Sequence, residues 1–294
     1  MKLASTKIKQ KIIKIEPDRI KRRRRYSKEE LLKCGIINLN KPKGPKCKYV
    51  LSKLRKELNV AKLGHAGTLD PNTTGVLPIL VGKATKLSEL LSKSDKIYRG
   101  RFKLHGEISK EKLKRGMANF VGVIDQLPPK ISAVKRVIRQ REVYWFKLRK
   151  YKKRVASFEM ACQHGTYVRK VCHDLGEELG VGAHMFELER IQSGPFKLRK
   201  SVRVDAIKIR EPELAIKYIP KVWVDKDVVR TVRKGTPVFI PGVLRVTSDF
   251  AEEKLVAILG QDNRLKALGV AKASIYMLKK QKRGVAVKTD LVLV

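Results

Sequence analysis

"GHAGTLDPNTTGVLPILVG", Gly64 to Gly82, sets a single acid, Asp70, in a run of glycines, threonines and a proline, then continues into an unbroken apolar stretch. The Asp-Pro step and its glycine neighbours predict a tight turn. The stretch after Gly75 is too apolar for a sheet edge, so it belongs inside a sheet. Just upstream, "GIINLNKPKGP" (35–45) reads as a short buried strand closed by a Pro/Gly turn. Val50, Leu51, Leu54 and Leu58 then recur at helical spacing, predicting an amphipathic helix over 47–58.

Working downstream, Leu87, Leu90 and Leu91 mark a second helix, and "KIYRGRFKLHG" alternates as a strand does. Leu113, Met117, Phe120 and Val121 form a helix face. "REVYWFKLRKY" and "VASFEMACQHG" read as two strands, the second with Phe158, Met160 and Cys162 on one face. "TYVRKVCHDLGEELG" is a helix ended by glycine, and "AHMFELERIQSGPF" is a further strand. Strands outnumber helices and follow one another like hairpins, without regular βαβ alternation. The fold class expected is α+β: a mixed, mostly antiparallel sheet with packed helices. Residues 196–219 read as a connecting stretch with one helix beginning near Asp205. From Lys221 the texture changes to short strands and glycine turns ("KGTPVFIPGVLRV", "KLVAILG", "LKALGVAKA", "GVAVKTDLVLV"), predicting a small β-barrel in a domain of its own. The expected boundaries are a basic arm at 1–34, a catalytic domain at 35–205, a linker at 206–220 and a C-terminal domain at 221–294.

The chain has 294 residues, 43 % of them hydrophobic, which is enough apolar mass to build a core. It carries 68 Lys+Arg against 28 Asp+Glu, a formal net charge of +40. Such a field attracts a polyanion and costs self-repulsion without one. Nucleic acid is the first expectation, because neutralised phosphates release counterions. An anionic membrane surface is the competitor. No apolar run of about 18 residues and no signal-peptide pattern is present, so a soluble, intracellular protein without a membrane role is expected. The arm alone holds 13 Lys+Arg and 4 Asp+Glu, net +9, including "KRRRR" at Lys21–Arg25. It reads better as a phosphate-binding arm than as a localisation signal, since the whole protein is basic. Its "IIKI", Ile12–Ile15, has the texture of a strand added to another element.

Four scattered cysteines (Cys34, Cys47, Cys162, Cys172) fit reduced thiols. Cys162, His164, Cys172 and His173 invite a metal, yet there is no CxxC pair, and adjacent Cys172 and His173 point in different directions on a helix. No metal is expected. Asp70 itself admits a plain reading as an Asx-turn residue. A nucleophilic carboxylate needs more: it must be ionised, and a guanidinium beside it favours that form. Glu57 and Glu89 lie on exposed-looking helix positions, so a two-carboxylate hydrolase is poorly supported.

"GHAGTLDPNTTGVLPILVGKATK" resembles the central motif of the TruB-type pseudouridine synthases. "GIINLNKPKGP", "KIYRG", "LPPKISAVKR", "GTYVRKVCHDLGEELGVGAHMFELERIQSGPF" and the basic C-terminal part resemble their archaeal/eukaryotic, dyskerin-like branch, the catalytic subunit of H/ACA ribonucleoproteins. The likeness runs in order from about residue 35 to the end. It implies a pseudouridine synthase fold followed by a PUA domain, and conversion of uridine to pseudouridine with no cofactor. By the same resemblance Asp70 is the nucleophile and Tyr98 stacks on the target base. Tyr167 and Arg169 match a second active-site tyrosine and the arginine paired with the aspartate. His65 matches a histidine near the flipped nucleotide and Leu188 an apolar residue under the base, though either also reads as an ordinary turn or core residue. Lys41 and Pro42 match the "KP" motif that supports the catalytic loop. Lys135 matches either a phosphate contact or a solvated lysine. After "KPxGP" relatives carry small hydroxyl residues where this chain reads "KCKYV", which leaves the local contacts of residues 46–48 open.

The partners implied are an H/ACA guide RNA, a ribosomal RNA substrate (tRNA being the alternative) and the small companion proteins of the particle, with roles in rRNA processing and ribosome biogenesis. The end at Val294, without the long Lys-rich tail of nucleolar relatives, points to an archaeal, cytoplasmic protein rather than a nucleolar one. One rival is a stand-alone tRNA pseudouridine synthase; those carry a long RNA-gripping insertion where only "RVIRQRE" separates Lys135 and Val143 here. The other is an inactive RNA-binding scaffold, against which the intact set Asp70, Tyr98, Tyr167 and Arg169 argues.

Overall fold

A computed structural model of the chain describes residues 10–15, 25–128 and 135–293. Most of the "KRRRR" run and residues 129–134 of "LPPKISAVKR" lie outside the described residues. The elements in order are β1 (Ile12–Lys14), α1 (Lys28–Lys33), β2 (Cys34–Lys41), α2 (Cys47–Leu58), β3 (Leu63–His65), β4 (Thr73–Gly82) and α3 (Ser88–Ser92). Next come β5 (Lys96–Leu104), α4 (Lys110–Asn119), β6 (Gly122–Gln126), β7 (Arg139–Lys152), β8 (Val155–Cys162), α5 (Val168–Glu178), β9 (Ala183–Ser193) and β10 (Phe196–Lys197). The C-terminal part holds β11 (Lys221–Val224), α6 (Lys226–Val232), β12 (Val238–Phe239), β13 (Val243–Thr247), β14 (Leu255–Gly260), β15 (Leu265–Ala271), α7 (Ile275–Lys280) and β16 (Val285–Val292).

Two sheets result. The larger runs β2-β4-β9-β5-β8-β7-β6, with β3 paired to β4 and β10 to β9. Every pairing in it is antiparallel except β4–β9, so the mixed, mostly antiparallel α+β architecture is borne out. The apolar strand β4 is interior, as its composition demands. On one side it pairs with β2; on the other, β3 covers Ile79–Val81 and β9 covers Thr73–Gly75. The turn that carries Asp70 therefore rises between β3 and the start of β4, over β9. Helix α2 buries Cys47, Val50 and Leu54 against Ile37, Leu39, Leu77 and Ile79. Helices α4 and α5 cover β5, β7 and β8 through a second core that holds the Phe102, Phe146 and Phe158 rings.

The second sheet runs β1-β13-β11-β14-β15-β16-β12, and β1 and β12 form no closing pair among the described residues. Its first strand comes from the arm: Ile12–Lys14 pair with Arg245–Thr247, so "IIKI" does add a strand to another element. The two halves share one apolar core, in which Ile36, Leu80, Leu87 and Leu91 meet Ile216, Trp223, Leu259, Leu265 and Leu293. No helix among the described residues is long and apolar enough to cross a membrane.

Three local expectations fail, each for a physical reason. No helix begins near Asp205. The chain there turns at Val204–Asp205 and bridges β2 on either side of the turn, Val202 to Leu39 in parallel and Arg210 to Ile36 antiparallel. Val202, Val204, Ile207 and Ile209 pack on the core under α2, and the bridges cover the free edge of β2. Helix α4 stops at Asn119, with Phe120 as its C-cap and Val121 exposed. In the C-terminal part α6 and α7 interrupt the strands; Asp225 and Ser274 cap them by accepting from the backbone N–H of Asp227 and Met277.

The parallel contact β4–β9 needs Gly75, whose φ is +103°. A Cβ there would stand 2.3 Å from the Arg190 carbonyl oxygen. Gly44 has nearly the same φ, +107°, with nothing within 4 Å of a Cβ. Gly44→Ala should therefore cost about 1–2 kcal/mol, the backbone strain alone. Gly75→Ala should cost about 3–5 kcal/mol, because overpacking adds to the strain. Urea denaturation of the two variants checks the difference; equal losses would remove the close approach from the account.

Candidate active site

Asp70 sits exposed in the turn between β3 and β4, and Arg169 lies in the first turn of α5. Their side chains form an ion pair. Both are more than half exposed, at 58 % and 53 %. A pair this exposed contributes little to stability, about 0–1 kcal/mol, so its placement asks for a role other than holding the fold.

Around this exposed pair the backbone is held by buried side chains. Arg190, 1 % exposed on β9, donates from Nη2 to the Gly67 carbonyl (2.9 Å), from Nη1 to that of Thr68 (3.4 Å) and from Nε to that of Val76 (2.8 Å). Cys47 Sγ lies 3.3 Å from both the nitrogen and the carbonyl oxygen of Leu69, accepting from one and donating to the other. Lys41, wholly buried, donates its three ammonium protons to the carbonyls of Pro42 (2.9 Å), Pro71 (3.0 Å) and Thr73 (3.0 Å). Burial lowers the Lys41 ammonium below its ordinary range. The Thr73 N–H donates to the Asp70 carbonyl (3.0 Å), which closes the turn. The backbone on both sides of Asp70 is thus tied down while its carboxylate faces outward.

The Arg169 side is built the same way. Gln126, 2 % exposed at the end of β6, brackets the backbone of Tyr167: it accepts from the Tyr167 N–H (2.9 Å) and donates to the Tyr167 carbonyl (3.2 Å). Tyr167 is the N-cap of α5, so this bracket fixes where the helix starts and where Arg169 points.

Tyr98 is half-buried on β5, opposite Arg190 of β9. Leu188, two residues before Arg190, packs with Tyr98 on the same core. Burial pushes the Tyr98 phenol above its ordinary range. His65 ends β3, half-buried; burial, together with the Arg190 charge, lowers its imidazole and favours the neutral form, and its Nδ1 has no partner among the described residues. Lys96, beside Arg190 and Gly67, donates to the carbonyls of Ser92 and Ser94; burial and the Arg190 charge push it down to about 7. Lys135 stands exposed in the connection before β7 and meets none of these groups among the described contacts. Cys162 and Cys172 are buried, and among the described residues no three His, Cys, Asp or Glu side chains gather into a metal-sized cluster.

Arg190 and Gln126 were not singled out by the sequence. Lys41 was legible through the "KP" motif, and the departure at residues 46–48 drew attention to Cys47, whose thiol meets both polar groups of Leu69. Cys47→Ala leaves those groups buried and unbonded, and should cost about 1–3 kcal/mol. Cys47→Ser should recover at least half of the loss, because a hydroxyl both donates and accepts. Chemical denaturation of the two variants decides it; equal losses would show that only the volume of residue 47 matters.

Against known proteins, the family model for the N-terminal domain of TruB family pseudouridylate synthases matches residues 55–111 and 105–168. The tRNA pseudouridylate synthase B C-terminal domain matches 169–211 and the PUA domain 220–293. A probable tRNA pseudouridine synthase B of Methanopyrus kandleri is 37 % identical over 283 residues, 90 % of this chain and 84 % of that one. Its namesake in Pyrobaculum aerophilum is 37 % identical over 285 residues, 91 % of this chain and 86 % of that one. Among solved structures, an H/ACA RNP bound to a substrate RNA containing 2′-deoxyuridine superposes with TM-score 0.88 at 31 % identity, over 98 % of this chain and 96 % of that chain. A Cbf5-Nop10-Gar1 complex gives TM-score 0.85 at 33 % identity, over 98 % and 95 %. With these likenesses spanning nearly its whole length, the chain belongs to the TruB family of pseudouridylate synthases, in its dyskerin-like branch, and is an RNA pseudouridine synthase with a C-terminal PUA domain.

Proposed function

We propose that this enzyme converts uridine to pseudouridine in ribosomal RNA under the direction of an H/ACA guide RNA, with Asp70 as nucleophile. The observation that carries the catalytic part is the exposed Asp70–Arg169 pair, set on backbone that Arg190, Cys47, Lys41 and Gln126 hold in place. The reaction breaks the bond from ribose C1′ to uracil N1 and forms one from C1′ to C5. N1 gains a proton and C5 loses one, so atoms and electrons balance without a redox partner or group donor. A carboxylate starts this by covalent attack on the nucleoside. Arg169 pairs with it through a charge-assisted hydrogen bond and offsets its charge beside RNA phosphates. The uridine must leave its stack, at a cost of a few kcal/mol. Tyr98 stacks on the freed base, with Leu188 beneath it and His65 and Tyr167 beside it, which returns part of that cost. Lys41 works through the loop, its ammonium being committed to three carbonyls, and Lys135 meets backbone phosphate.

Guide dependence rests on the likeness to solved H/ACA particles and on the short connection into β7. We infer that companion proteins like those in the Cbf5-Nop10-Gar1 complex bind this chain too, and that it works in the cytoplasm of an archaeon, the archaeal box H/ACA Nop10-Cbf5 complex being among the solved neighbours. A second reading, action on tRNA without a guide, is favoured by the names of its curated relatives.

Asp70→Asn should lower the single-turnover rate by at least about a thousandfold with RNA affinity kept, since the shape stays and the nucleophile is lost. A rate within tenfold of wild type would take Asp70 out of that role. Arg169→Ala should lose most of the activity and Arg169→Lys recover only part, because a point charge does not reproduce the planar fork. Full activity in both would remove the pairing from the mechanism.

Guide dependence is read in single-turnover assays on an rRNA fragment and on a tRNA, each with and without guide RNA and companion proteins, at fixed salt. The +40 chain binds RNA regardless of sequence, but binding without placement gives little chemistry; a small misplacement costs about a hundredfold. Conversion of the rRNA fragment should rise at least about a hundredfold with guide and companions. Equal rates with and without guide, or efficient conversion of tRNA alone, would favour the second reading.

A further inference from the structure

Tyr49 stands in the first turn of α2 with 66 % of its surface exposed. Its side chain makes no hydrogen bond or ring contact among the described residues. Single exposed aromatics are ordinary on a protein surface. This one is set apart by what its helix is fastened to. The Gly44 N–H donates to the Pro71 carbonyl (2.9 Å), and Cys47 Sγ lies 3.3 Å from both polar groups of Leu69. Leu69 and Pro71 are the two chain neighbours of Asp70, so the start of α2 is tied to the catalytic turn on both sides of its acid. Cys47 and Tyr49, two residues apart on a helix, point about 200° away from each other. The Cys47 thiol faces inward under the turn, so the Tyr49 ring faces outward. Helix side chains also lean toward the N-terminus, and that is the end tied to the turn. The ring therefore leans toward the exposed side of the Asp70 turn, from a Cα roughly 3 Å further along the helix axis than that of Cys47.

Lys43, Lys46, Lys48 and Lys53 flank the ring in sequence, all exposed and without an ion-pair partner among the described residues. No acid stands in the first turn of α2. Unpaired ammonium groups around an aromatic face suit a single nucleic-acid strand: the charges follow the phosphates and the ring takes a base. The reaction supplies a base in need of such a face. When the target uridine leaves its stack, the nucleotide beside it loses a stacking partner. An aromatic ring close to the catalytic turn replaces that partner and fixes where the strand lies while the uridine is out.

We propose that Tyr49 is a substrate-positioning residue, its ring stacking on a base within a few nucleotides of the target uridine and so holding the strand in register over Asp70. The proposal rests on the reading of Asp70 as the reacting group. Binding is therefore measured in the full chain carrying Asp70→Asn, so that RNA is not consumed. Conversion by Asp70→Asn itself would sink that reading and leave the binding measurement of Tyr49 intact. The RNA is the one that the wild-type enzyme converts, the rRNA fragment with guide and companions or the tRNA. At fixed moderate salt, Tyr49→Ala should weaken binding about 5- to 150-fold, the range of one base–aromatic stack. Tyr49→Phe and Tyr49→Trp should stay within about threefold, because the ring is used and the hydroxyl is not. Ala is a better helix former than Tyr, so the fold is not at risk. Substrates with a single abasic nucleotide at each of about four positions on either side of the uridine then locate the base. At one of them the lesion should cost the Tyr49 protein as much as Tyr49→Ala does, and cost the Ala variant nothing more. A loss below about fivefold for Tyr49→Ala, an equal loss for Tyr49→Phe, or additive effects at every abasic position each overturn the proposal.

Discussion

Everything in the active site depends on one buried cation. Arg190 reaches from β9 under the loop and satisfies carbonyls of Gly67, Thr68 and Val76, on both sides of Asp70 in sequence. It can do so because β4 and β9 lie parallel and in contact, and that contact exists because residue 75 has no Cβ. A buried guanidinium without carboxylate partners is expensive unless its donors are used, and here backbone carbonyls use them. Its charge is felt by its neighbours as well: it helps hold down the pKa of His65 and of Lys96. Lys41 and Cys47 repeat the arrangement from β2 and α2. The result is a loop held from beneath, with its one acid exposed beside Arg169.

The same logic governs the larger scale. The C-terminal sheet is joined to the catalytic sheet by a shared apolar core, by the connecting stretch that bridges β2 at Val202 and Arg210, and by the arm, whose Tyr26 and Glu30 both hold Arg264. Interfaces of that kind keep two units at a fixed distance, where a polar contact alone would let them move. A protein that converts one uridine among many needs such a fixed distance. A charge of +40 ensures that RNA arrives but says nothing about register.

Much of this was legible in the residues. The short buried strand at the start of residues 35–45, the helix over 47–58 and the interior strand after Asp70 follow from composition and period, and the structure has all three. The Asp70–Arg169 contact came from family resemblance, since residues 99 apart in sequence leave no periodic trace of their meeting. Arg190 was missed because "ELERIQS" alternates like a half-solvated strand, and nothing local says that its arginine points inward. Gln126 was missed because bonds from a side chain to a distant backbone have no period at all. Helix α6 went unread because Val228, Val229 and Val232 are β-branched; the Asp225 cap and the packing override that preference. The helix expected at Asp205 failed for the converse reason, as the edge of β2 recruits that stretch as a partner.

The central claim, a loop held still by the side chains beneath it, is tested most directly by amide hydrogen exchange at Leu69 and Thr73 in the free protein. Leu69 donates to Cys47 Sγ and Thr73 to the Asp70 carbonyl. Both amides should exchange at least about a hundredfold more slowly than an unstructured chain, the equivalent of about 2.8 kcal/mol for local opening. Cys47→Ala should release Leu69 while leaving the amides in the middle of β4 protected. Exchange of Leu69 and Thr73 near the unstructured rate in the wild-type protein would mean that the loop is not held, and would contradict the account at its base.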